Sequence, residues 1–147
     1  MKTVIVYYSK HHGNTKKLLD AISKTEDVDL LNVIGNTSAD LSAYDRIGFA
    51  SGIYYGSFSK QIISFAEDHL PENKSVFYIY TYGAPRGGFL KGMRNIVARK
   101  HCKELCEYRC QGYDTFEPFK LVGGIAKGHP TDEEIAAAVT FYRKLGE

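Results

Sequence analysis

The sequence predicts an α/β fold, a three-layer doubly wound sheet of five parallel strands with helices on both faces. Two observations carry this. Short runs of β-branched and aromatic residues lack polar alternation, as strands buried on both faces do, and amphipathic stretches of helical period separate them. Parallel neighbours need crossover connections, and such crossovers are right-handed. The four prolines, at positions 71, 85, 118 and 130, are scattered singly and no Pro/Gly/Ser-rich linker divides the 147 residues, so one domain is expected over 1–147.

Thr3 to Tyr8 is the first such run and predicts a central strand. After a polar loop, Leu18, Leu19 and Ile22 share one helical face while Lys16, Lys17 and Asp20 lie elsewhere, which predicts a helix from Asn14 to Lys24. Val28 to Val33 and Arg46 to Ala50 read as strands. Ile62, Ile63 and Ala66 mark a helix that ends near His69, ahead of Pro71. Ser75 to Thr81 is the fourth strand, and Leu90, Met93, Ile96 and Val97 mark the next helix. Leu105 to Gly112 reads as the fifth strand. Thr131-Asp132-Glu133-Glu134 is a capping box that opens a final helix with Ile135, Val139, Tyr142 and Leu145 facing inward.

Composition narrows the function classes. A chain of this length buries more than roughly 60% of its unfolded surface, so neither disulfides nor a structural metal is required. With 19 Lys+Arg against 17 Asp+Glu the net charge is +2, far from the excess that a dedicated nucleic-acid binder concentrates on one face. Apolar runs such as Val4 to Tyr8 fall well short of the roughly 20 residues that cross a bilayer, and no signal-peptide pattern is read at the N-terminus. A cytoplasmic protein is expected. The three cysteines, spaced C-x3-C-x3-C at 102, 106 and 110, match no iron–sulfur pattern. In an extended strand Cys106 and Cys110 would share a face with Tyr108, and Cys102 would sit on the preceding helix, so the expectation is small buried hydrophobes.

In open parallel sheets ligands bind outside the carboxyl ends of the strands, at the point where strand order reverses. The loops starting at Ser9, Ser51 and Tyr82 are therefore the candidates. In the first, Ser9-Lys10-His11-His12-Gly13-Asn14-Thr15 leads into a helix N-terminus, where unpaired amides and the dipole attract an anion such as phosphate. Asn14 or Thr15 acting only as a helix cap explains the same tripeptide. The loop is neither a Walker loop nor a G-x-G-x-x-G fingerprint, and adjacent His11 and His12 cannot readily converge on one metal ion. The second loop, Ser51-Gly52-Ile53-Tyr54-Tyr55-Gly56, and the third, Thr81-Tyr82-Gly83 through Gly87-Gly88, each combine glycines with tyrosines. Together they describe a flat apolar slot for an aromatic ring system whose edges need amide donors and acceptors.

These segments carry a resemblance. Ile5-Val6-Tyr7-Tyr8-Ser9, Gly13-Asn14-Thr15, the stretch from Tyr44 to Gly56, and Lys127-Gly128-His129-Pro130 resemble the short members of the flavodoxin family, in the same order and over nearly the whole chain. The resemblance implies strand order 2-1-3-4-5 and FMN as a non-covalent cofactor. Its phosphate would lie on the first loop and its isoalloxazine between the second and third, with Tyr54, Tyr55 or Tyr82 stacking. It also implies a peptide at Tyr55-Gly56 that rotates to accept a hydrogen bond from the reduced ring. Family members commonly place a hydroxyl residue before the glycine of the first loop, where this chain has His12.

The function so implied is electron transfer between a reductase and an acceptor protein. The alternatives are an FMN-dependent NAD(P)H or quinone reductase acting on a small molecule, and a cofactor-free anion-binding module on the same fold. Carrier flavodoxins are usually acidic, whereas the pI here is near 8.3, so a less basic partner or a small-molecule acceptor is expected. A phosphorylation receiver would need acidic residues at the strand ends, and a low-molecular-weight phosphatase would need C-x5-R after the first strand; neither is present.

Overall fold

The computed structural model describes residues 1–8, 13–36, 38–84, 86–112 and 129–146. In chain order the elements are β1 (Thr3–Tyr8), α1 (Asn14–Thr25), β2 (Asp29–Asn32), β3 (Arg46–Tyr54), β4 (Ser57–Phe58), α2 (Lys60–His69), β5 (Ser75–Tyr82), α3 (Lys91–Arg99), β6 (Lys103–Gln111) and α4 (Asp132–Lys144). The sheet runs β2-β1-β3-β5-β6, and β4 pairs off that path with β3. Every pairing along the path is parallel. Counting only these five parallel strands, the order is 2-1-3-4-5, as the resemblance implied.

Alternate side chains of the central strands feed two cores. Val4, Val6, Ile47, Phe49, Val76 and Tyr78 point to the face covered by α2 and α3, where Ile62, Phe65, Met93 and Ile96 close the layer. Ile5, Tyr7, Ala50, Phe77 and Ile79 point to the opposite face, covered by Leu18, Leu19 and Ile22 of α1 and by Ala138 and Tyr142 of α4. All six residues of β1 are buried, which is why that segment shows no polar alternation. Gly48 stands opposite Phe77 across the β3–β5 pairing, and a Cβ there would come within 2.4 Å of the phenyl ring.

The connection from β2 to β3 carries no helix among its described residues. Leu41 is buried within it, and the Tyr44 phenol donates to Asp29 at 2.6 Å. The last helix opens as predicted: the Thr131 hydroxyl accepts from the Glu134 amide at 3.1 Å while the Glu134 carboxylate accepts from the Thr131 amide at 2.7 Å. Ile135, Val139 and Leu145 pack inward with Ala138 and Tyr142.

Two sequence expectations are corrected. The third strand does not stop at Ala50 but continues to Tyr54, pairing Ile53 with Phe58 and Tyr54 with Ser57, so most of the second loop is a β-hairpin. The cysteines are not all buried. The β5–β6 register slips between Val76 and Tyr78, which sit opposite Glu104 and Glu107, so β6 carries one extra residue. That bulge resets the alternation, so Leu105, Tyr108 and Cys110 face the α1/α4 core while Cys106 is exposed. Cys102 lies beyond the end of α3 rather than on it, half-buried, its thiol donating to the Pro71 carbonyl. Cys110 does act as a small hydrophobe, because burial pushes its thiol up to about 12 and keeps it protonated.

The bulge also places Glu104 and Glu107 on one face. Arg94 of α3 clamps both, at 2.9 and 3.0 Å. Glu107 accepts from the Tyr80 phenol at 2.6 Å, and burial together with that carboxylate pushes Tyr80 up to about 12.

Candidate functional site

Among the described residues, no side chain caps the start of helix α1. Gly13 is its N-cap residue, in the left-handed region at φ 61°, and its carbonyl accepts from the Lys17 amide at 2.9 Å. Only glycine takes that conformation without steric cost, and without a side chain it cannot shield the first-turn amides. A Cβ at Gly13 would meet nothing nearer than Lys16 Cβ at 3.9 Å among the described residues, so it is the positive φ rather than crowding that calls for glycine there. The simple capping role for Asn14 or Thr15 is therefore overturned: both are already helical, and their side chains turn inward, 9% and 1% exposed.

Beneath this end, the Thr15 and Thr81 hydroxyls lie 3.1 Å apart, joining α1 to the last turn of β5. Gly112, just past β6, closes the floor. Its amide donates to the Tyr82 carbonyl at 2.9 Å, and a Cβ there would stand 3.0 Å from both Asn14 Nδ2 and Thr81 Cβ. Ser9, Lys10, His11 and His12 lie outside the described residues, as do Lys127 and Gly128.

The second wall is the hairpin. Ser51 and Gly52 are strand residues; Ser51 is fully buried, donating to the Gly52 carbonyl and accepting from the Ser59 amide at 3.1 Å. That bond secures Ser59, which caps α2 by accepting from the Ile62 amide at 3.2 Å. Ile53 and Tyr54 are half-buried, and the Tyr54 ring meets Tyr8 edge-on, centroids 6.1 Å apart. The turn residues Tyr55 and Gly56 both have positive φ, 52° and 78°, as a two-residue type I′ hairpin turn requires. Tyr55 is held at the tip 86% exposed, in a conformation that a bulky residue adopts only at some cost.

The third wall follows β5. Tyr82 stacks on Phe89, centroids 6.0 Å apart and planes 29° apart, and the Arg109 guanidinium lies 5.5 Å over the Tyr82 ring. Arg109 also donates to the Arg86 carbonyl at 3.1 Å. Gly83 is buried, while Gly87 and Gly88 are exposed, Gly88 at φ 80°. Arg86 Nη2 comes within 3.6 Å of where a Cβ on Gly56 would stand, so the second and third walls meet there.

The register explains the convergence. Tyr8 pairs with Ser51 and Gly52 with Thr81, so the three walls rise from adjacent carboxyl ends. Since β2 follows β1 to one side and β3 lies on the other, the crevice falls at the reversal of strand order. Gly13, Asn14, Thr15 and Thr81 are gathered at its base, and Tyr54, Tyr55, Gly56 and Tyr82 on its walls. Gly87 and Gly88 line a neighbouring cleft with Tyr80, Phe89 and Arg109. The sequence reading missed Gly112, Phe89, Arg86 and Arg109. A glycine ending a strand was the available signal for the first, and Arg86 stands in the third loop itself, whereas Arg109 becomes visible only once β5 and β6 are paired.

The fold defines a doubly wound α/β protein whose strand order reverses at the β1/β3 divergence. A family model described as a flavodoxin domain matches residues 5–102, and the chain belongs to that family. It is 36% identical over 147 residues to an uncharacterized protein of Methanocaldococcus jannaschii, covering 99% of this chain and 98% of that one. Among solved structures it is similar to a WrbA-like flavodoxin from Agrobacterium tumefaciens, with a TM-score of 0.72 at 13% identity over 99% of this chain and 95% of that chain. A flavodoxin from Streptococcus pneumoniae TIGR4 gives a TM-score of 0.65 at 16% identity over 98% and 97%. Likeness at such identities is likeness of fold. No described helix is long and apolar enough to cross a membrane.

Proposed function

We propose that this chain is an FMN-binding redox protein that carries electrons between a reductase and an acceptor. One observation supports it above the rest: a helix begun by a left-handed glycine and an aromatic hairpin tip follow the carboxyl ends of the adjacent strands β1 and β3, at the switch point of the sheet. Relatives on this fold hold FMN at that place.

The residues present fit the cofactor. A phosphate suits the first-turn amides at the glycine-begun end of α1, above the inward-turned Asn14 and Thr15. A planar ring suits the space beside Tyr55, the exposed aromatic at the hairpin tip, with Tyr82 on the facing wall already packed by Phe89 and Arg109. Bound flavin supplies the redox chemistry; the chain binds it, orients it and adjusts its electronics. Gly56 allows the Tyr55-Gly56 peptide to turn its carbonyl toward a ring proton at little steric cost. Cys110, the buried thiol, is held protonated and takes no part.

A visible spectrum of the purified protein together with an FMN titration tests the reading. Flavin bands and tight, stoichiometric uptake are expected. A colourless protein that takes up no added FMN overturns it and favours the anion-binding module. Mixing the loaded protein with NADH or NADPH alone then distinguishes a carrier, which stays oxidised, from a self-sufficient reductase.

A further inference from the structure

The face beside the third wall has an unusual charge pattern. Five arginines are exposed: Arg86, Arg94, Arg99, Arg109 and Arg143. Three of them are ion-paired, Arg94 with Glu104 and Glu107, Arg99 with Glu67 and Arg143 with Glu26. Arg86 and Arg109 have no carboxylate partner among the described residues, and these two flank the crevice. Arg109 is also held in place, by the Tyr82 ring beneath it and by its bond to the Arg86 carbonyl, so a partner would order little on meeting it.

Lys91 adds to the pattern. It is exposed at the first position of α3, a helix with no acidic residue in its first turn. A cation there opposes the helix dipole, where an acidic residue would be stabilising. Arg86, Lys91 and Arg109, with no carboxylate partner among the described residues, add three positive charges on and just beyond the third wall, Lys91 placed against its own helix dipole. The adjoining cleft of about 500 Å3 has Arg94, Glu107 and Arg109 on its walls, and since Arg94 already pairs with Glu107, Arg109 is its free positive charge among the described residues.

We propose that Arg86, Lys91 and Arg109 form the docking surface for an acidic one-electron carrier protein. The inference rests on the flavin reading for what the partner serves, and on charge complementarity for its chemistry. In the transfer, one electron leaves the partner's reduced iron–sulfur cluster, which is oxidised, and enters the flavin, whose charge is balanced by a proton from water. Carboxylates on the carrier meet the three cations and bring the cluster against the rim.

The test is stopped-flow reduction of the FMN-loaded protein by a reduced plant-type ferredoxin, an acidic carrier, over a range of ionic strength. The second-order rate should fall steadily as salt rises. In the triple variant Arg86→Glu/Lys91→Glu/Arg109→Glu it should drop by about tenfold or more at low salt and lose most of its salt dependence. Lys24→Glu makes one charge reversal at the far end of α1 and should change the rate by less than about twofold. The single variant Arg109→Gln, read by calorimetric titration with the ferredoxin, serves if the triple variant does not fold. A rate that rises with salt, a triple variant that matches Lys24→Glu, or complete block by millimolar inorganic phosphate, which marks a small-anion site, each overturns the proposal. FMN titration of every variant separates the two readings, since failure to bind flavin refutes the cofactor assignment and intact binding with unchanged rates refutes only the docking surface.

Discussion

The Thr15–Thr81 pair offers a way to separate a structural role from a binding role at the base of the crevice. The two hydroxyls are 3.1 Å apart and their residues are 1% and 4% exposed, so neither has ready access to water. Thr15→Val or Thr81→Val removes one partner and leaves the other buried and unsatisfied, at a cost of about 1–3 kcal/mol. Valine is isosteric and has a helix propensity close to that of threonine, so packing and local preference change little. In a protein of this size each kcal/mol lowers Tm by roughly 2–4 °C. The double variant removes both groups and should be nearly as stable as the wild type, giving a coupling equal to the sum of the two single losses, about 2–6 kcal/mol, in a double-mutant cycle read by urea denaturation of the flavin-free protein. FMN titration adds the second axis. If Thr15 also donates to the cofactor phosphate, the stable double variant binds it about tenfold to a hundredfold more weakly, the equivalent of one charge-assisted hydrogen bond. A double variant as unstable as the sum of its singles would refute the reasoning, because the hydroxyls would then be satisfied elsewhere.

Other substitutions probe the close approaches. Gly48→Ala places a Cβ 2.4 Å from the Phe77 ring, inside both the sheet and the α1/α4 core; a loss of about 1–3 kcal/mol is expected in urea denaturation, and Phe77→Leu in the same chain should restore part of it. Gly112→Ala brings a Cβ 3.0 Å from Asn14 Nδ2 and Thr81 Cβ, so FMN affinity by titration should fall more than the urea midpoint does, since the displaced Asn14 belongs to the base of the crevice. Glu134 supplies the pH dependence. Burial opposes its ionisation, but the His129 ring and the Thr131 amide and hydroxyl together hold its carboxyl below the usual glutamate value. A carboxyl lowered on folding stabilises fully above its unfolded pKa of about 4.3, and that contribution disappears as pH falls through the folded value. The Tm difference between the wild type and Glu134→Gln should therefore be widest near neutral pH and narrow in acid; a difference that widens in acid would contradict the assignment.

Much of the architecture is written in local pattern. β1 and β5 are legible because burial on both faces leaves no polar position, and α4 because its capping box needs only four adjacent residues. The hairpin is hidden because its turn is Tyr55-Gly56, without the asparagine or aspartate that usually marks a type I′ turn, and because Ser51 and Gly52 look like loop residues. Their strand state depends on pairing with β5 across Gly52 and Thr81, a contact between positions 29 residues apart. The bulge in β6 has the same origin. Nothing between Glu104 and Glu107 announces an extra residue, yet it decides that two carboxylates rather than one meet Arg94 and that Cys106 rather than Leu105 faces outward. The candidate site divides along the same line. Residues that define a backbone shape, Gly13 and Gly56, can be read from sequence because few other residues suit positive φ. Arg109 joins Arg86 at the rim only because β5 and β6 are neighbours, and a charge count of +2 over the whole chain averages that rim away. What determines where a ligand sits is thus local, and what determines which partner approaches it is set by the order of the strands.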